Sequence, residues 1–303
     1  MSQLSPRALP VWRSLLYVPA NVERYVAKAH QRGADGIILD LEDSVPPAEK
    51  ANARQGLQET AARVGQAGAD VLVRINRPLR LAIPDLEAAV GPAVRGIFVT
   101  KVEGPGHLRL LDEVVSELEA QRGMPIGSTG FVAMIETAHA FFQIHEVATA
   151  TGRLDALTIG AEDLSTDVGA HPDADTLLYP KQQSIYAARA AGIAPLGIIG
   201  TVADYTDLPA VRETAFRSRK FGFEGASCIH PAVVSVLNEA FGVSDEAAAQ
   251  ARRIIEADKA AAAEGRASFA LDGKMVDIPV VERARRLLAR HEAITARASR
   301  ASL

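Results

Sequence analysis

The chain has 303 residues, 48% of them hydrophobic, and its 33 basic and 37 acidic side chains leave a formal net charge of −4. That length suffices for one large α/β domain, or a domain with an appendage, and the mild acidity offers no basic field to nucleic acid or an anionic membrane. A lone cysteine, Cys228, excludes an intrachain disulfide framework, no apolar run is long enough for a bilayer, and MSQLSPRALPVWRS lacks a signal-peptide core, so a cytoplasmic protein is expected.

Eight short apolar runs follow in chain order: SLLYVPA (14–20), GIILDLED (36–43), DVLVRIN (70–76), GIFVTKV (96–102), GFVAMIE (130–136), ALTIGAED (156–163), APLGIIG (194–200) and GASCIHP (225–231). Their Val, Ile and Leu content predicts buried parallel strands. The segments between them, such as HLRLLDEVVSELEAQRG and KQQSIYAARAAG, predict helices that close on glycine. Strict alternation over eight units predicts a (β/α)8 TIM barrel. An open doubly wound sheet would call for a Gly-rich phosphate turn after an early strand, yet strand one leads into PANVER and strand two into DSVPPAEK. Beyond the eighth unit lie a helix over 245–264, the piece GRASFALDGKMVDIP with an Asp272-Gly273 turn, and a helix over 280–298 entered at Pro279. The expected division is a catalytic barrel over 1–243 and a C-terminal helical extension and lid over 244–303.

In such barrels the C-terminal strand ends face the active site. Those positions read Pro19, then Asp40, Glu42 and Asp43, then Arg74, Lys101, Glu136 and Asp163, nothing ionisable at strand seven, and His230. A period of two places Asp40 and Glu42 with Ile38 on the inward face, leaving Ile37, Leu39 and Leu41 for the helix layer. By the same count Arg74 points inward with Leu72 and Asn76, where it can pair with a carboxylate. Lys101 is placed with Ile97 and Val99, and Asp163 with Ile159 and Ala161, while Glu162 falls on the opposite face, towards the helices. Glu136 and Asp163, without cysteine or a matched histidine, suit a hard divalent cation completed by water and substrate oxygens. The other reading is an acid/base carboxylate pair of the glycosidase kind, against which stands an aromatic content of 5%. Cys228 reads as a small core residue, and His230 as a pocket wall or a structural histidine. His139, His145 and His171 lack ligand spacing.

The motifs RSLLYVPANVERYVAKA, GIILDLEDSVPPAEKANAR, VLVRIN, VTKVEG, AMIETAHA, LTIGAEDLSTDVGA, CIHPAVV and LDGKMVDIPVVERA occur in this order. Together they resemble the citrate lyase beta-subunit-like branch of the HpcH/HpaI aldolase/citrate lyase family, which includes malyl-CoA and citramalyl-CoA lyases. The resemblance implies a Mg2+ site, with Mn2+ as a substitute, on Glu136 and Asp163, with Glu136 also facing the substrate. It implies that Arg74 binds substrate and steadies developing charge. It implies that Asp277 of a C-terminal lid, with Asp272 as second choice, transfers a proton in a neighbouring subunit's site, hence a homo-oligomer, a trimer or hexamer. Arg13 and Lys101 are expected to bind substrate, with Asp40 and Glu42 behind them orienting the cations. The reaction implied is cleavage or formation of a β-hydroxy acyl-CoA-type thioester, giving a 2-oxo acid and an acyl thioester. The alternatives are a citrate lyase beta subunit working on an acyl carrier protein, and a metal-binding paralogue with a binding or regulatory role. Three positions depart from the family's common pattern: Val99-Thr100-Lys101, Tyr179-Pro180-Lys181 in place of Tyr-Ala-Arg, and Leu196-Gly197-Ile198 at strand seven.

Overall fold

The apolar runs form one sheet in the computed structural model, which describes residues 9–203 and 205–301. The strands β1 (Ser14–Pro19), β2 (Gly36–Asp40), β3 (Asp70–Ile75), β4 (Gly96–Val99), β5 (Gly130–Ile135), β6 (Leu154–Ile159), β7 (Ala194–Pro195) and β8 (Ala226–Cys228) pair in the order β7-β6-β5-β4-β3-β2-β1-β8. Every pairing is parallel. Beyond β7, Leu196 bridges to Gly225, and Gly197 N donates to Gly225 O at 2.8 Å, so the sheet curls until its two edge strands touch. Glycine is required at the seam: a Cβ on Gly225 would lie 1.7 Å from Trp12 O.

Alternation along the strands builds two apolar layers. Leu15, Ile38, Leu72, Phe98 and Val132 fill the inside of the curl together with Trp12, whose indole N–H donates to Asp70 Oδ2 at 2.7 Å. Leu16, Ile37, Leu39, Val71, Val73, Ile97 and Val99 pack outward into the helix layer. Each large aliphatic side chain buried this way contributes roughly 1.5–3 kcal/mol. The inward parity expected for Ile38 and Leu72 is the one observed.

Every strand ends before the apolar run that predicts it does, β6, β7 and β8 among them. β7 stops at Pro195 because Gly197 and Gly200 take φ values of 149° and 135° and turn the chain. β8 stops at Cys228. β6 stops at Ile159, and Ala161–Val168 is a helix with Glu162 and Asp163 in its first turn and Gly169 in the left-handed conformation at its end. Acids favour a helix N-terminus and glycine its C-terminus, and these preferences outweigh strand alternation here.

The chain divides into two compact units, Met1–Phe241 and Gly242–Leu303. In the second, helix Asp245–Ala263 is capped by Ser244, whose hydroxyl accepts from Ala247 N at 3.2 Å. An antiparallel hairpin of β9 (Phe269–Leu271) and β10 (Lys274–Val276) follows. Its turn carries Asp272 and Gly273 at φ 51° and 74°, the handedness that tight hairpins require. Helix Ile278–Ala301 packs back on the first helix, with Arg285 paired to Asp258 at 3.1 Å. Among the described residues no helix is long and apolar enough to cross a membrane.

Candidate active site

The C-terminal strand ends surround a cavity of about 280 Å³, lined by Tyr17, Asp40, Arg74, Glu136, Asp163 and Lys181 among others. Strand register builds its first wall. Asp40 of β2 stands directly opposite Arg74 of β3, and the guanidinium donates to both carboxylate oxygens at 2.6 Å, from Nε and from Nη2. Arg74 Nη1 lies 3.0 Å from Glu42 Oε2, and the guanidinium sits 4.8 Å from the centre of the Tyr17 ring. Burial alone would push the Asp40 carboxyl up, yet the Arg74 bonds, with help from Ser44 and Glu42 N, outweigh it and hold the group below the ordinary carboxylate range. Burial likewise works against the Arg74 charge, and the Asp40 bond reverses that, keeping the arginine above its ordinary value. Lys50 Nζ donates to the carbonyls of Leu41 and Glu42, both at 2.9 Å, and pins the turn after β2. This two-point clamp leaves the guanidinium little freedom to rotate.

Lys101 reaches the site by a different route from the one expected. Ile97 and Val99, with which alternation groups it, pack in the outer apolar layer. The backbone of Lys101 turns to φ 47°, which reverses its direction, and Nζ meets Glu42 Oε1 at 2.7 Å. Its backbone N donates to the Glu136 carboxylate, so one residue braces two acids.

Glu136, one residue past β5, is 3% exposed. Among the described residues no cationic side chain lies within ion-pair reach of it. Burial, with Asp163 nearby, pushes its carboxyl up to about 8 against the pull of the Lys101 N–H. A buried acid so disposed either keeps its proton or meets a cation. Asp163 lies on the helix rather than on a strand face, exposed beside the same cavity. Among the described residues no group of three or more acid, histidine or cysteine side chains gathers to hold a metal unaided. A pair of carboxylates fits Mg2+, which takes one or two and keeps several waters or substrate oxygens. Gly160 makes the room: a Cβ there would lie 2.4 Å from Glu136 Cγ. Gly160→Ala is therefore expected to displace the carboxylate and weaken Mg2+ binding by about 10–100-fold, read by titrating Mg2+ against thermal stability; unchanged affinity would refute the placement.

Two charged cavity residues were not anticipated as site residues. Glu162, assigned by alternation to the helix layer, lines the cavity and accepts from the Thr201 hydroxyl. Lys181 is 3% exposed and donates to Gly200 O at 2.7 Å. Its only signal in the sequence is the departure Tyr179-Pro180-Lys181. Arg13 is not brought to the cavity: it lies before β1, at the N-terminal strand ends, where Asp35 takes Nε and Nη2, both at 2.8 Å. The expectation that Arg13 binds substrate gives way to a structural ion pair. His230 stacks on Tyr205 at 4.8 Å, beside a neighbouring groove. Cys228 is buried, as a core residue should be, with its thiol pushed up to about 12. In the second unit Asp277 accepts from Val280 N at 3.3 Å, as a helix cap, while Asp272 pairs with Arg253 at 2.8 Å.

Oxygen donors gathered where parallel strands end define an α/β enzyme suited to a hard divalent cation. The HpcH/HpaI aldolase/citrate lyase pattern matches residues 13–231, and the chain belongs to that family. It is 33% identical to citrate lyase subunit beta of Leuconostoc mesenteroides subsp. cremoris over 91% of this chain and 92% of that one. It is 32% identical to a (3S)-malyl-CoA thioesterase of Cereibacter sphaeroides, covering 94% and 96% of the two chains. The crystal structure of protein CitE from Mycobacterium tuberculosis in complex with magnesium, acetoacetate and coenzyme A superposes with a TM-score of 0.71 at 30% identity, covering 92% of this chain and 97% of that one.

Proposed function

We propose that the protein is a Mg2+-dependent carbon–carbon lyase, tolerant of Mn2+, that reversibly cleaves a β-hydroxy acyl thioester of the CoA type into a 2-oxo acid and an acyl thioester. It works in a closed (β/α)8 barrel, as a cytoplasmic homo-oligomer in which the C-terminal lid serves a neighbouring subunit's site. The observation that carries this reading is Glu136, a buried acid with no cationic side chain within ion-pair reach among the described residues, opening on the same cavity as a fully clamped arginine.

Glu136 and Asp163 would hold the metal, which supplies Lewis-acid and template chemistry when bound. Arg74 is oriented in advance by Asp40 and Glu42, so it receives the charge developing on the enolate oxygen without reorganising. Lys101 fixes Glu136 through its backbone and offers its ammonium, shared with Glu42, to the substrate's acidic end. Asp277 would move the proton to or from the enolate carbon.

The deciding assay supplies malyl-, citramalyl- and citryl-CoA with Mg2+ and follows free 2-oxo acid and free thiol separately. Release of 2-oxo acid with the thioester intact, abolished by EDTA, is the expected result. Thiol release alone would mark a hydrolase like the C. sphaeroides relative, activity only with acyl carrier protein would mark a citrate lyase subunit, and binding without turnover would mark a regulatory paralogue.

The lid assignment is tested by subunit mixing. Asp277 caps its helix between the exposed Met275 and Ile278, an apolar flank suited to docking on a neighbouring subunit. Arg74→Ala and Asp277→Ala chains, each inactive alone, are expected to regain activity in a mixed oligomer that contains one intact shared site. A verified mixed oligomer without activity would overturn the shared site.

A further inference from the structure

The cavity contains a second cation that the chemistry above leaves unused. Lys181 stands in the first turns of helix Leu178–Ala191, buried, on the wall that β7 and its following loop provide. Arg74, across the cavity, is matched by Asp40 and Glu42. Lys181 differs: among the described residues its ammonium has one hydrogen bond, to Gly200 O, and no carboxylate within ion-pair distance. Glu162 is the acid that acts on it across the cavity, and that carboxylate is engaged by Thr201. Among the described residues, the elements packed against the lysine's helix supply no other partner. β6 carries Asp155, which pairs with Arg95 at 3.1 Å, β7 carries no charge, and helix Ile144–Ala148 carries His145 and Glu146, both exposed.

An ammonium buried without a counter-ion is unfavourable, and burial lowers the Lys181 pKa to about 7. A bound anion would supply the missing counter-charge and restore the proton. An arginine would stay charged whatever it faces. Lysine makes the charge conditional on the ligand.

Building on the lyase reading, we propose that Lys181 is a specificity group: it binds a carboxylate of the substrate other than the one held beside Glu136 and Asp163, so that the 2-oxo acid handled here is a dicarboxylic one. Ile198 and Val202 on the same wall offer an apolar surround, against which an uncharged end would gain little discrimination and a carboxylate would gain a direct ion pair.

The experiment is calorimetric titration of the Mg2+-loaded full-length protein with oxaloacetate and with pyruvate, for wild type, Lys181→Met and Lys181→Arg. Wild type is expected to bind oxaloacetate about tenfold or more tightly than pyruvate. Lys181→Met should lose that preference while its pyruvate affinity stays within about twofold, and Lys181→Arg should retain it. Repeated near neutral pH in buffers of different ionisation enthalpy, oxaloacetate binding should take up protons in wild type, a signature that survives even if a variant misfolds. Preference retained in Lys181→Met, or no proton uptake in wild type, overturns the inference. Pyruvate and oxaloacetate bound equally by wild type overturns it alone, whereas binding of neither overturns the lyase reading with it.

Discussion

Glu136→Gln is expected to lower Mg2+-dependent turnover by on the order of a thousandfold or more while making the metal-free protein more stable in mild alkali. Both effects come from the same carboxyl. Its pKa in the metal-free fold, about 8, lies above the ordinary value of a glutamate in the unfolded chain. The fold therefore keeps a proton that the unfolded chain has released, and stability falls as pH rises from the carboxylate range through about 8. The loss is on the order of a few kcal/mol. Glutamine has the shape without the titration, so the slope should flatten in the variant. A bound divalent cation offsets the same penalty, so the Mg2+-induced rise in melting temperature should be large in wild type near pH 8 and nearly absent in the variant. Thermal melts across pH, with and without Mg2+, check this; equal Mg2+ shifts in both proteins would remove Glu136 from the metal site.

Arg74→Met should be costly in two separable ways. Asp40 is 1% exposed and Glu42 5% exposed, so removing the guanidinium leaves two acids buried beside each other, with Lys101 as the remaining cation for Glu42. Breaking a buried pair of this kind costs about 3–5 kcal/mol, measurable as a lower denaturant midpoint at unchanged slope. Turnover should fall about 100–1,000-fold as well, because the group proposed to meet the developing oxyanion is gone. Adding Asp40→Asn to the variant separates the two, since it removes an unpaired charge without restoring a cation to the cavity. The double variant is expected to regain part of the stability and none of the activity. Restored turnover in the double variant would show that Arg74 acts only by supporting the fold.

Much of this arrangement is legible in the chain itself. In Ile37-Ile-Leu-Asp-Leu-Glu-Asp43, alternation alone separates Asp40 and Glu42 from the aliphatic set, and the same count in Val71-Leu-Val-Arg-Ile75 aims Arg74 at them. Parallel register then makes Asp40 and Arg74 opposite partners. Alternation misleads wherever the backbone stops being a strand. Lys101 escapes it through a left-handed residue that no side-chain pattern announces. Glu162 and Asp163 escape it because a helix begins at Ala161; acids in a first turn and Gly169 eight residues after Ala161 are the helix signals that compete with the strand pattern. Arg13 shows another limit, since its charge is visible in sequence while its partner Asp35, from the next βα unit, is not. Lys181 stands on a helix whose inward face depends on how it docks over β6 and β7, and only the departure from Tyr-Ala-Arg marks it.

The sheet is not equally tied around its circumference. β1 to β6 are joined by ladders of four or five residue pairs, but β7 is held to β6 by two pairs and to the β8 side by the single bridge of Leu196 and Gly225. Few interstrand bonds place a segment at the low end of local stability. Arg74, Lys101, Glu136 and Asp163 all follow or end strands of the well-laced arc, and Lys181 leans on the loosely laced one. Such a division lets one wall change its preference among ligands while the opposite wall keeps its geometry. New substrates would then be acquired by editing the seam, leaving the reaction as it was.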